Sequence, residues 1–286
     1  MSDRIYYING RFVSEADAQI SALDLAVLRG YGVFDSLRTY DGRPFQLEAH
    51  IDRLVRSAEL VGIELPWGHR ELSNALQTVL AASPFPETSL RVVVTGGVSD
   101  DFFTPTGKPS LIIIALRLDP YPREIYENGV RVATAHLERF LPVAKSTNYL
   151  AGQISVRQAK KKDPGVHEVI YVNRAGDITE AVTSNVFGVV GGGLVTPESD
   201  VLPGITRQVV LEIAGPAMPV EVRRLSLEAL YEAEEAFITG SKKEVMPIAV
   251  IDGRQLPPPV PGPRTKQIME LFRHYVETFK NGPARS

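Results

Sequence analysis

One lysine in this chain stands where an amine could act as a nucleophile. Lys145 follows the apolar run Phe140-Leu141-Pro142-Val143-Ala144 and precedes Ser146-Thr147-Asn148, any of which could cap a helix starting near Tyr149. Half-desolvation at a strand's end lowers an amine's pKa and frees the neutral form that makes an imine. The plain alternative is a partly exposed loop lysine. Lys160, Lys161 and Lys162 end a predicted helix, where cations complement the helix dipole and stay solvated, and Lys280 sits in the tail.

Two further segments bear on Lys145. Asp177-Ile178-Thr179-Glu180 puts a carboxylate at a strand end ahead of small hydroxyl residues, and Leu202-Pro203-Gly204-Ile205-Thr206-Arg207 leads into a helix whose first amides and threonine hydroxyl can bind phosphate. An imine-forming lysine, a carboxylate for a pyridinium nitrogen and a phosphate cup are what pyridoxal phosphate needs. Locally, Glu180 is equally compatible with an edge-strand carboxylate, and Leu202 with a core leucine.

Other chemistries lack their residues. The five histidines, His50, His69, His136, His167 and His274, form no close pair, so no metal site is expected. No cysteine is present, which removes disulfides, thiolate nucleophiles and sulfur-ligated metals. GxSxG, P-loop and GxGxxG motifs are absent, and Gly191-Gly192-Gly193 between two strands reads as a tight turn. Lys+Arg 31 against Asp+Glu 34 gives a net charge of −3 with no large basic block, so no nucleic-acid partner is expected. No apolar run of about 18 residues exists, and Met1-Ser2-Asp3-Arg4 leads directly into a strand-like segment, so a cytoplasmic protein without membrane contact is expected.

The elements that must position these residues are mixed. Ile5 to Val13 reads as a hairpin about Asn9-Gly10, and Val33 to Phe45 as another about Asp41-Gly42. Apolar residues recur at helical spacing from Leu47 to Val61 and again from Leu72 to Leu80. Leu90–Thr95 and Leu111–Leu116 read as buried strands joined by a loop in which Asp100 to Lys108 is a lid candidate. The pattern breaks at Asp119-Pro120-Tyr121-Pro122. The expected division is therefore an N-terminal α/β domain over 1–118, a linker over 119–128 and a C-terminal domain over 129–286. Downstream come strands 130–136, 168–172 and 178–190, helices near 149–162 and 206–214, and strands 220–223, 236–240 and 245–251. A bend at Leu256–Pro263 with five prolines, a stiff connector or a weak SH3-type ligand, then leads into a last helix. At 286 residues and about 150 per domain, two domains of mixed α/β class follow.

The sequence resembles the fold-type IV pyridoxal-phosphate enzymes, the family of branched-chain aminotransferases, D-amino-acid aminotransferases and aminodeoxychorismate lyases. The likeness runs through Tyr7-Ile8-Asn9-Gly10, Gly30-Tyr31-Gly32-Val33-Phe34-Asp35, His50-Ile51-Asp52-Arg53-Leu54, Lys145 to Tyr149, Thr179-Glu180, Ser184 to Phe187, Leu202 to Arg207 and Thr239-Gly240-Ser241. It implies a smaller N-terminal α/β domain and a larger C-terminal pseudo-barrel, in a homodimer with the active site at the domain junction. It also implies that Lys145 forms the Schiff base and moves the substrate proton, and that Glu180 pairs with the pyridine nitrogen. Tyr149, one helical turn past the lysine, would face the ring hydroxyl. Leu202 would pack on the ring, and Arg53, Ile205, Thr206 and Ser241 would hold the phosphate. Without the resemblance, Arg53 reads as a helix-surface arginine paired with Glu59 or a neighbour.

The resemblance implies ping-pong transfer of an amino group between an amino acid and a 2-oxo acid. Phe34-Asp35-Ser36 stands where branched-chain enzymes usually carry phenylalanine-glutamate-glycine, and Arg29 where a tyrosine is common. Arg91 interrupts an apolar strand, which is costly without an anionic partner, and two arginines make a natural carboxylate clamp. This is similar to a noncanonical subgroup of D-amino-acid aminotransferases, acting on D-alanine or D-glutamate, with Arg29, Arg91 and also Lys242 as substrate contacts. The alternatives are Arg91 paired with Asp100 or Asp101, a surface Arg29, and a solvated Lys242-Lys243 pair. As whole-protein readings, an L-branched-chain aminotransferase, an aminodeoxychorismate lyase and a noncatalytic binding relative follow in that order.

Overall fold

The computed structural model describes residues 4–282, so Met1, Ser2 and Asp3, read above as leading into a strand, lie outside the described residues. The chain divides into two compact units, Met1–Asp119 with Ala144–Tyr149, and Pro120–Val143 with Leu150–Ser286.

The first unit is built on a six-stranded sheet in which every pairing is antiparallel. Its elements are β1 (Arg4–Ile8), β2 (Arg11–Val13), α1 (Leu25–Arg29), β3 (Gly32–Tyr40), β4 (Arg43–Pro44), α2 (Leu47–Val61), α3 (His69–Ala81), β5 (Thr88–Thr95) and β6 (Leu111–Arg117), with strand order β2-β1-β6-β5-β3-β4. Asn9 and Gly10 have φ of 48° and 87°, and Asp41 and Gly42 51° and 72°. Positive φ at both central residues is what a type I′ turn demands, so both hairpins form where the sequence places them. Helices α2 and α3 cover one face, and their Ile51, Leu54, Leu72 and Leu76 pack with Val33, Leu37, Leu90, Val92 and Ile113. Because strand side chains alternate, Asp35 points into that core with Val33 and Leu37, while Phe34, Ser36 and Arg38 take the other face.

The short segment Ala144–Tyr149 joins this unit by adding to the start of β3. Phe34 N donates to Lys145 O at 2.9 Å and Thr147 N to Gly32 O at 2.9 Å. The lysine is thus placed by the first unit's sheet, although its sequence position falls within the span read as the second domain.

The second unit carries α4 (Arg123–Asn128), β7 (Val130–His136), α5 (Leu150–Lys162), β8 (Val166–Val172), β9 (Ile178–Ala181), β10 (Asn185–Val190), β11 (Gly193–Thr196), α6 (Ile205–Ala214), β12 (Val220–Val222), α7 (Leu227–Tyr231), β13 (Glu235–Gly240), β14 (Glu244–Ile251), β15 (Arg254–Gln255) and α8 (Pro263–Asn281). The strands form one mixed sheet in the order β12-β11-β10-β13-β14-β7-β8-β9, with β15 on β14. The sheet curls until β9, at the end of that order, returns beside β10.

Two expectations change here. The segment read as a linker contains α4, and Tyr121, Ile125 and Tyr126 pack on the second core; their apolar spacing is hidden among prolines and charges. The strand expected over 178–190 is two strands, because Ala181 N reaches back to Ser184 O at 2.7 Å and turns the chain. Glu168 holds that turn, accepting bonds from Thr183 N, Thr183 Oγ1 and Ser184 Oγ. Among the described residues, no helix is long and apolar enough to cross a membrane.

Candidate active site

In the first unit Lys145 is half-buried, as an imine-forming amine requires. Its backbone N donates to Ser57 Oγ on α2 at 3.1 Å, and its Nζ lies 4.8 Å from the centroid of the Phe34 ring. Tyr149 meets the same ring edge-on, with centroids 5.5 Å apart. It does so from a non-helical segment, since α5 begins only at Leu150, so the expected one-turn relation between Lys145 and Tyr149 is replaced by a shared contact on Phe34.

Arg91 also lies on this ring, its guanidinium carbon 4.5 Å from the centroid, with Nε 3.4 Å from Ser36 Oγ. The strand around it alternates buried and open positions, so Arg91 is on the exposed face and bears no burial cost. Among the described residues it has no carboxylate partner. Asp101, the expected alternative partner, is committed to its own loop, accepting from Ser99 Oγ, Phe103 N and Thr104 N. Those hydrogen bonds hold the Asp101 carboxyl well below the usual carboxylate range. Arg29 ends α1 in solvent, its guanidinium 3.3 Å from Leu28 O, and makes no hydrogen bond, ion pair or ring contact with Lys145, Phe34 or Arg91.

Beneath Phe34, on the core side of β3, Asp35 joins His50 and Arg53 of α2 in a buried group. Arg53 donates from Nε to Asp35 Oδ2 and from Nη2 to Oδ1, both at 2.8 Å, and His50 Nδ1 lies 2.7 Å from Oδ1. Burial opposes the charge on Asp35, but Arg53 and His50 outweigh it and hold the carboxyl well below its ordinary range. Burial lowers the His50 pKa, against the pull of Asp35. Arg53 is therefore neither on the surface nor paired with Glu59; its fork is fixed by Asp35. Sequence reasoning missed Asp35 in this role, although a carboxylate at an inward strand position, with His50 and Arg53 three apart on the next helix, is a readable signal.

In the second unit Glu180 is buried on β9, with Oε1 2.5 Å from Arg139 Nη1 and Oε2 accepting from Leu202 N at 3.0 Å. Leu202 O in turn accepts from Asn185 Nδ2 at 2.9 Å. Leu202 is thus tied to Glu180 and Asn185 through its own peptide groups. Arg139 was not anticipated; it sits in a charged, irregular stretch after β7 with no motif to mark it.

Ile205 and Thr206 form the first turn of α6, ahead of its first intrahelical bond from Gln208 N to Gly204 O. Their amides have no partner within the helix, and Gly204 at the N-cap has no side chain to offer them. A Cβ on Gly204 would run into Asn185 Oδ1. Thr239 lies opposite Asn185 in the β10–β13 ladder, and its buried hydroxyl has no hydrogen-bond partner. Free amides at a helix start, a glycine with no room for a side chain and an unpaired hydroxyl on the neighbouring face suit a phosphate group.

Ser241 follows β13 in a tight turn. Lys242 is exposed, with Nζ 5.6 Å from the Tyr121 ring centroid. Lys243, expected in solvent, is buried against Glu168 Oε2 at 3.0 Å, Thr183 Oγ1 and Ser184 Oγ. The predicted residues therefore fall into two groups: Lys145, Tyr149, Arg53, Arg29 and Arg91 in the first unit, and Glu180, Leu202, Ile205, Thr206, Ser241 and Lys242 in the second.

The model of the family described as amino-transferase class IV matches residues 32–251. A putative branched-chain-amino-acid aminotransferase of Methanocaldococcus jannaschii is 37% identical over 285 residues, covering 96% of this chain and 95% of its own. A D-alanine aminotransferase of Staphylococcus haemolyticus is 31% identical over 279 residues, covering 95% and 98%. The crystal structure of a branched-chain aminotransferase of the thermophilic archaeon Thermoproteus uzoniensis with norvaline superposes with a TM-score of 0.86 at 32% identity, covering 95% of this chain and 94% of that one. With the donor sets above, these likenesses show that the chain belongs to the class IV aminotransferases, pyridoxal-phosphate enzymes of fold type IV.

Proposed function

We propose that this aminotransferase moves an amino group between a D-amino acid such as D-alanine or D-glutamate and a 2-oxo acid. The observation that carries the reading is Arg91, a guanidinium without a carboxylate partner among the described residues, on the same Phe34 ring as Lys145. A substrate whose amino group is held at Lys145 would meet in Arg91 a bidentate partner for its carboxylate. Arg29 and Lys242 are assigned to the same substrate as further cationic contacts. The D-alanine aminotransferase relative, matched over 98% of its length, supports this reading.

Bound pyridoxal phosphate supplies the electron sink that makes the substrate's Cα–H acidic. Lys145 anchors the cofactor through its amine and, once released, carries the proton from the substrate Cα. Glu180 would keep a proton on the pyridine nitrogen, Tyr149 would orient the ring hydroxyl and Leu202 would pack on the ring. Arg53, Ile205, Thr206 and Ser241 hold the phosphate. We further propose a homodimer working in the cytoplasm; exposed Phe103, Phe140 and Leu150 offer apolar surface to a second copy.

A second reading, an L-branched-chain aminotransferase, is favoured by the 37% identical relative. The two are separated by supplying D-alanine, D-glutamate or L-leucine to the reconstituted protein and measuring the 2-oxo acid released. Product from the D-amino acids at a rate at least about 100-fold above that from L-leucine is expected, the margin for a carboxylate that reaches Arg91 in the D-enantiomer and misses it in the L-enantiomer. Product from L-leucine alone would establish the second reading.

A further inference from the structure

We infer that Arg139 is a positioning residue for the reaction, one that fixes Glu180 as an oriented carboxylate and anchors the chain just ahead of Lys145. The inference rests on the proposed role of Glu180 as partner of the pyridine nitrogen.

A carboxylate as buried as Glu180 is costly unless a cation and hydrogen-bond donors compensate it. Arg139 supplies the cation, with Nη1 on Glu180 Oε1 and an ion pair in which the arginine side chain is itself only 17% exposed. The amide of Leu202 supplies a donor to the other oxygen. A carboxylate held from two directions cannot rotate, so the edge it presents to a ring nitrogen is set before any ring is bound.

The same Nη1 also donates to Pro142 O at 3.1 Å. Between Arg139 and Pro142 the chain makes a bend it would not choose freely. Leu141 has φ of 93°, a region that bulky L-residues rarely occupy, and Phe140 is 97% exposed. The bond to Pro142 O spans this bend and closes it. Pro142 is three residues before Lys145 in sequence, so one guanidinium ties the strand that carries Glu180 to the segment that leads into the lysine.

The test uses full-length protein with Arg139→Met, Arg139→Lys, Glu180→Gln and the Glu180→Gln/Arg139→Met pair. It measures the dissociation constant for pyridoxal phosphate by equilibrium dialysis, together with kcat and KM for the amino donor. Arg139→Met is expected to weaken cofactor binding and lower kcat by about 10- to 100-fold each, the range for losing a hydrogen bond to a charged group. KM should stay within about threefold, since the substrate does not touch Arg139. Arg139→Lys, which keeps the charge, should recover at least part of both losses, and the double variant should be no worse than Glu180→Gln alone. The inference is overturned if Arg139→Met retains wild-type affinity and kcat while Glu180→Gln is impaired, or if the two losses simply multiply. If Glu180→Gln itself binds and turns over like wild type, the proposed role of Glu180 fails, and the inference with it. Should Arg139→Met not fold, Arg139→Gln, which keeps a hydrogen-bond donor without the charge, takes its place in the same comparison.

Discussion

Lys145→Ala is expected to lower amino-group transfer by at least about 10³- to 10⁴-fold, because it removes both the amine that anchors the cofactor and the base that moves the Cα proton. The thermal midpoint should change little. The fold uses Lys145 mainly through its backbone, whose O accepts from Phe34 N and whose N donates to Ser57 Oγ, and alanine keeps both bonds. Among the contacts the variant loses is the amine over the Phe34 ring, worth about 1 kcal/mol at an exposed site. Turnover by coupled assay and unfolding by calorimetry on one preparation check the two halves of this expectation. A variant with a few per cent of wild-type turnover would contradict the assignment.

Asp35→Ala should have the opposite profile, with its first effect on stability. Asp35 is the acid that holds buried Arg53 and His50, and removing one member of such a group costs about 3–5 kcal/mol by stranding the others. Trp67, the single tryptophan in the sequence, packs on the core of the same unit, so its fluorescence in a urea titration reports this loss. Asp35→Asn, which keeps a hydrogen-bonding side chain, should cost less. The pH dependence has a definite sign. Asp35 is held below its ordinary range in the folded state, so its stabilisation is present at neutral pH and disappears as pH falls below that range. His50 is lowered by burial, so a further contribution begins to fall once pH drops below about 6.5, the ordinary histidine value. In Asp35→Ala the first contribution should vanish, whereas that of His50 should grow, because the charge that pulls its pKa up is gone. A midpoint equal to wild type at neutral pH would contradict this account of Arg53.

How far such groups are legible in sequence depends on whether the interaction is local. The hairpins at Asn9-Gly10 and Asp41-Gly42 were legible because the turn residues carry their own φ requirement. Helices α2 and α3 were legible from apolar spacing. Lys145, Glu180 and the start of α6 stood out because each joins a reactive or donor group to a strand end or helix start. The remainder depends on contacts distant in sequence. Arg91 looked costly in an apolar run, yet alternation along β5 puts it on the open face. Lys243 looked exposed beside Lys242, but Glu168, 75 positions earlier, buries it. The turn at Val182–Ser184 is fixed by the same Glu168, so the local strand propensity of 178–190 gave no hint of it. Arg139 carries no local signal; its importance is visible only once β9 places Glu180 beside it.

The most direct test of the account is to reduce the reconstituted protein with borohydride, digest it and locate the pyridoxyl group by mass spectrometry. Reduction makes the link between cofactor and lysine permanent, so the label marks the amine that held it. The account predicts a single labelled peptide carrying the group on Lys145. Label on Lys242 or Lys243, or protein that binds the cofactor and yields no labelled lysine, would contradict it.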